Sequence, residues 1–245
     1  MSGADAHPAA TSGSSPADTL RQLLAFAKAP TPLGGPMLRG KERRRVFSVV
    51  LAVDIAVAAL MVAVVAVAEG FGATFPQVED FDLDPVTLAI FAIAVAPVME
   101  EVIFRGWLRG RRADLEFAAT FVALILATTG LSYLDAVGEV AIGTVFILGV
   151  IVAWLRWLAT RKAHSAVPEW FSRHYGKIIY ASSLVFGMIH LTNYAELQFI
   201  TVFLVLPQTI GGLILAFTRT RLGLGAAILQ HALFNALFTA LDPWL

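Results

Sequence analysis

The sequence predicts an all-α fold, a polytopic membrane helix bundle of about seven transmembrane helices with a cytoplasmic N-terminus. Three observations carry this expectation. Apolar residues make up 58% of the chain and charged residues 15%, with a mean hydropathy of +0.74, whereas a soluble domain carries about 25% charged residues. The apolar residues gather into about seven stretches, each near the ~17–25 residues that cross a bilayer. All 18 Lys and Arg then fall on one side of the arrangement. The opposite loops carry acidic residues instead, among them Glu69, Asp84, Glu139 and Glu196. So clean a separation requires an odd number of spans, and positive-inside bias assigns the basic side to the cytoplasm.

Residues 1–39 are rich in Ala, Ser, Gly and Pro and read as a disordered cytoplasmic tail, within which 18–28 suits a short surface helix. Residues 40–245 read as one transmembrane domain. Its spans are expected near 46–68, 85–108, 117–134, 137–158, 177–193, 197–218 and 222–241. The third and fifth are short and carry polar residues. The first apolar run is too long for a signal-peptide core and lies too far from Met1, so it is expected to stay as an anchor. Trp107, Trp154, Trp157 and Trp244 near span ends fit interfacial anchoring. Pro97 and Pro207 are expected to kink their spans, and Gly211 and Gly212 to permit close helix packing. With no Cys, disulfides, thiol nucleophiles and cysteine metal sites are excluded.

Two adjacent glutamates, Glu100 and Glu101, interrupt the second span. An acidic residue at membrane depth costs about 2.5–3.5 kcal/mol on insertion scales, and its default reading is functional. At about 1.5 Å per helical residue, Glu100 lies about 13 Å from the basic end of its span, His231 about 15 Å and His190 about 20 Å. Three ionisable residues from three spans thus share one layer. Glu101 and Arg105 are spaced i, i+4, acid first, the favourable order for a helical ion pair. This assigns Glu101 to a supporting pair with Arg105 and leaves Glu100 free. Phe186 shares a helix face with His190, and His231 with Asn235.

Glu100, His190, His231 and Asn235 suit water-mediated amide hydrolysis. A carboxylate in a low-dielectric site serves as general base and acid near neutral pH, so Glu100 with His190 is expected to orient and deprotonate one water. His231 and Asn235 offer N–H donors to the developing oxyanion. Asp54, at a depth similar to Glu100, reads as a structural acceptor, Gln208 as a candidate for the same cavity, and His164 and His174 as solvated.

Glu100-Glu101-Val-Ile-Phe-Arg105, Phe186-Gly-Met-Ile-His190 and His231-Ala-Leu-Phe-Asn235 resemble the EExxxR, FxxxH and HxxxN motifs of the CPBP intramembrane proteases. That family includes the type II CAAX prenyl endopeptidases and the bacterial Abi proteins. The resemblance covers residues 97–241 and makes 40–245 a protease domain of that type. It implies an endopeptidase that cuts a membrane-associated or lipidated substrate, with a conical cavity open toward the cytoplasm or the lipid. It also implies roles: water activation by Glu100 and His190, and oxyanion stabilisation by His231 and Asn235. No cofactor is expected. Zinc is the alternative, disfavoured because HExxH is absent and Asn is a poor zinc ligand. The expected partners are a peptide or protein substrate in or on the membrane and the lipid bilayer, with no nucleic acid. The Ala- and Val-rich composition points to the plasma membrane of a prokaryote. Two other classes share these features, a proton-coupled transporter, which also places Glu and His at mid-membrane, and a non-catalytic membrane scaffold.

Overall fold

The computed structural model describes residues 15–32, 37–78, 83–134 and 138–241. Residues 1–14 of the tail and Trp244 lie outside them. Among the described residues the chain is a helical bundle without strands, and a single isolated bridge pairs Val78 with Tyr194. The helices are α1 (Pro16–Lys28), α2 (Gly40–Gly70), α3 (Pro85–Arg105), α4 (Arg112–Ser132), α5 (Glu139–Thr160), α6 (Glu169–Ile189), α7 (Thr201–Leu222) and α8 (Leu224–Leu241). Six of them, α2 to α5, α7 and α8, are long and apolar enough to cross a membrane. The expected fifth span corresponds to α6. It misses that criterion because Glu169, Arg173 and Lys177 occupy its first half, so the figure of seven is approximate.

Local chemistry sets the helix ends. Asp84 caps α3, its carboxylate accepting from the N–H groups of Val86 and Thr87 at 3.1 and 3.0 Å, with Pro85 at the first helical position, where a missing N–H costs nothing. Those hydrogen bonds hold the exposed Asp84 carboxyl below its usual range. Between α7 and α8 the turn is Gly223 alone, at φ +96°, a left-handed conformation that disfavours any side chain.

Packing centres on α7, whose apolar window is 50% buried, the highest share of any candidate span. It contacts α6, α8, α2 and α1. Gly212 makes this possible: a Cβ there would lie 3.1 Å from both Arg105 Nη2 and Phe186 Cδ1. The helices α4 and α5 pair chiefly with each other as a lateral hairpin. Elsewhere the apolar side chains of the spans face outward, as in Leu60, Leu126, Val152 and Leu229, the surface that lipid covers.

Both prolines act as expected. Val205, at φ −95° and ψ 7°, breaks α7 two residues before Pro207. Upstream of Pro97, α3 widens into a π-helical turn over Phe91–Val95. One expectation needs correcting. Pro16–Lys28 is not a free tail segment: its Leu23 and Phe26 are buried in the main core, and Phe26 meets Phe217 of α7 edge to face at 5.4 Å. Thr19, Leu23 and Phe26 form one buried face, so hydrophobic burial outweighs the polar composition around them.

Candidate active site

Glu101 and Arg105 are both fully buried, and Arg105 Nη1 donates to Glu101 Oε1 at 2.9 Å. Arg105 is held on three sides. Its Nη2 donates to the carbonyl of Gly212 at 3.2 Å, and its guanidinium lies 3.9 Å over the ring of Phe186. The ion pair expected from spacing is therefore present, and it ties α3 to α6 and α7.

The same Glu101 oxygen has a second partner. His231 Nδ1 lies 3.1 Å from Glu101 Oε1. A carboxylate accepts, so Nδ1 carries the proton and the other ring nitrogen turns away. That nitrogen, Nε2, stands 3.8 Å from Glu100 Oε2. One imidazole thus bridges the two adjacent glutamates, fixed by the buried one and facing the other. Glu100 has a 25% exposed side chain, and its Oε2 makes no hydrogen bond among the described residues.

His190 closes α6, at the start of a short 3₁₀ turn through Asn193. Its Nδ1 donates to the carbonyl of Phe186 at 2.7 Å, which leaves Nε2 as the free nitrogen. The Phe186 ring touches both imidazoles, with centroids 4.9 Å from His190 and 5.8 Å from His231. Phe186 therefore serves as the shared wall of the cluster, which accounts for an aromatic one turn before His190.

Asn235 is engaged differently from the two histidines. Within the π turn the Ala96 N–H reaches back to Phe91, and the residue that would serve the Ala92 carbonyl is Pro97, which has no N–H. Asn235 Nδ2 supplies the missing donor at 2.8 Å. One of its two amide hydrogens is spent on α3 and one remains.

Two residues, Gln230 and Arg219, escaped the sequence reading. Gln230 is fully buried, donating to Asp54 Oδ2 at 2.8 Å and accepting from Thr218 at 2.6 Å. It thereby clamps α8, beside His231, to α2 and α7, and gives Asp54 the structural role expected of it. Arg219 donates through Nε to the carbonyl of Arg105 at 2.7 Å and through Nη2 to that of Gly106 at 3.0 Å. It caps the C-terminal end of the helix that carries both glutamates. No short-range spacing marks such pairs. Gln208 Oε1 is buried without a hydrogen-bond partner among the described residues, and His164 meets Glu116 at 3.3 Å near the surface.

A cavity of about 630 Å³ lies at the end of the bundle where Leu108–Arg111 joins α3 to α4, and none of the four motif residues lines it. Among the described residues no three His, Asp or Glu side chains gather as metal ligands would. Glu101 Oε1 and both Nδ1 atoms are committed to other partners, which leaves Nε2 of each histidine and the Glu100 carboxylate as the uncommitted donors of the cluster.

A family model described as type II CAAX prenyl endopeptidase Rce1-like matches residues 82–237. The chain belongs to this family. The matched stretch begins just before the cap of α3 and ends just after Asn235, so every residue of the cluster lies within it, while α1 and α2 precede it. As a member of the type II CAAX prenyl endopeptidase Rce1-like family, the protein is a protease and hence a hydrolase. It is an integral multi-pass membrane protein of a family that acts on membrane-associated substrates. No curated protein and no solved structure matches the chain.

Proposed function

We propose that the protein is an intramembrane endopeptidase that hydrolyses a peptide bond of a membrane-associated or lipidated substrate, using water activated by Glu100 and His190. The observation that carries this reading is the 3.8 Å approach of Glu100 to His231 Nε2, with the imidazole held from behind by Glu101. Glu100 takes the proton of a water held between its carboxylate and His190 Nε2, and the water oxygen attacks the scissile carbonyl carbon. Negative charge develops on the carbonyl oxygen, to which His231 donates from Nε2 in its imidazolium form, Nδ1–H staying on Glu101, together with the second amide hydrogen of Asn235. Preorganised donors of this kind are worth about 10²–10³ in rate each. The C–N bond then breaks as Glu100 returns its proton to the leaving amine. Glu101 and Arg105 hold the imidazole and the helix in place.

The test is purified protein in detergent against a panel of lipidated and unlipidated membrane peptides, with the cut mapped by mass spectrometry. Cleavage that survives exhaustive chelation and disappears in Glu100→Gln is expected. Activity that is lost on chelation and returns with stoichiometric zinc contradicts the mechanism.

A further inference from the structure

The 630 Å³ cavity is lined by three arginines, Arg109, Arg111 and Arg219, with Ser165 and Ser172 beside them and Phe171 as an apolar wall. Arg109 and Arg111 are exposed, whereas Arg219 is 5% exposed. Burying a cation is unfavourable unless it is paired. Among the described residues no carboxylate lies within ion-pair distance of any of the three. Of the two carboxylates nearest in charge, Asp114 is bonded to the Trp157 indole at 2.8 Å and Glu101 to Arg105 at 2.9 Å. The two carbonyls that Arg219 caps offset only part of a full charge, since a helix C-terminus amounts to about half an elementary charge.

We propose that this cavity is a binding site for a phosphate group, that of an anionic phospholipid headgroup. The walls come from Pro32 and Met37 between α1 and α2, the loop between α3 and α4, the segment leading into α6 with the first turns of that helix, and the last turn of α7. They sit at the end of the bundle, at headgroup level, on the side that gathers the Lys and Arg residues. Basic pockets between transmembrane helices are sites for anionic headgroups, and the volume lies within the ~300–1,000 Å³ of small-ligand pockets. Because Arg219 also holds the carbonyls of Arg105 and Gly106, an occupant of the cavity bears on the helix that carries Glu100.

The experiment is native mass spectrometry of the full chain released from micelles that contain phosphatidylglycerol and phosphatidylcholine in equal amounts. The variants are Arg109→Gln with Arg111→Gln, which leave the Arg219 cap intact, and Arg43→Gln with Arg44→Gln as a charge-matched control. Wild-type protein and the control are expected to retain phosphatidylglycerol selectively. In the Arg109/Arg111 variant that preference should fall by about thirtyfold, the effect of two basic residues near an anionic surface. In a second arm, inorganic phosphate that raises the Tm of the wild type but not of the variant assigns the same pocket to soluble phosphate. Equal retention of the two lipids with no effect of phosphate overturns the proposal. So does an equal loss in both double variants, or displacement of the lipid by a peptide with a free C-terminal carboxylate and not by phosphate.

Discussion

Oε1 of Glu101 receives two donors, one from Arg105 on its own helix and one from His231 on another. Removing either charged partner of such a buried pair strands the other, at a cost of about 3–5 kcal/mol. Arg105→Met should therefore lower the Tm and the folding yield in detergent. Glu100→Gln should leave the Tm unchanged and reduce turnover by about 10²–10⁴, the usual weight of a general base. If the two variants exchanged these phenotypes, the division of labour between the glutamates would be reversed. The i, i+4 spacing made the Glu101–Arg105 pair legible from the sequence. The second role of Glu101 was not, because it joins residues 130 positions apart. The same holds for Asp54 with Gln230 and for Arg219 with Arg105, whose partners are brought together only by tertiary packing.

At the scale of elements, Pro97 links a backbone irregularity to a side chain in the site. In Pro97→Ala, α3 regains an N–H at position 97, and the π turn over Phe91–Val95 loses its cause. The Ala92 carbonyl then recovers a backbone donor and releases Asn235. The expected outcome is a Tm equal to or above that of the wild type with a lower kcat, whereas full activity would show that the Asn235–Ala92 contact does not matter. The kink was legible from the proline alone, but its π form and its use of Asn235 were not. Helix α1 teaches the opposite lesson. Thr19, Leu23 and Phe26 recur at helical spacing, a signal of one buried face that the Ala- and Ser-rich composition around them obscured. Phe26→Ala should cost about 3–5 kcal/mol, as for other buried aromatic truncations, measured as loss of thermal stability. No change would mean that α1 is not docked.

For the whole molecule, the separation of charge predicts orientation, and the absence of Cys makes that prediction easy to test. Single cysteines at Arg111 and Lys162 should react with an impermeant maleimide only from the cytoplasmic side, and those at Glu139 and Glu196 only from the opposite side. Labelling of 162 and 196 from one side would mean that α6 does not cross. Hydropathy made the other six crossings legible. In α6 it marked only 177–193, because the first half of that helix carries Glu169, Arg173 and Lys177, all exposed.

The central claim is that Glu100 and His231, carried on separate helices, act as one unit, Glu100 on the attacking water and His231 on the carbonyl oxygen of the bond it attacks. The most direct measurement is a double-mutant cycle on kcat for peptide cleavage with Glu100→Gln and His231→Asn. Groups that act together are strongly non-additive, so each single variant should lose most of the activity and the double should be no slower than the slower single. Losses that multiply would contradict the account.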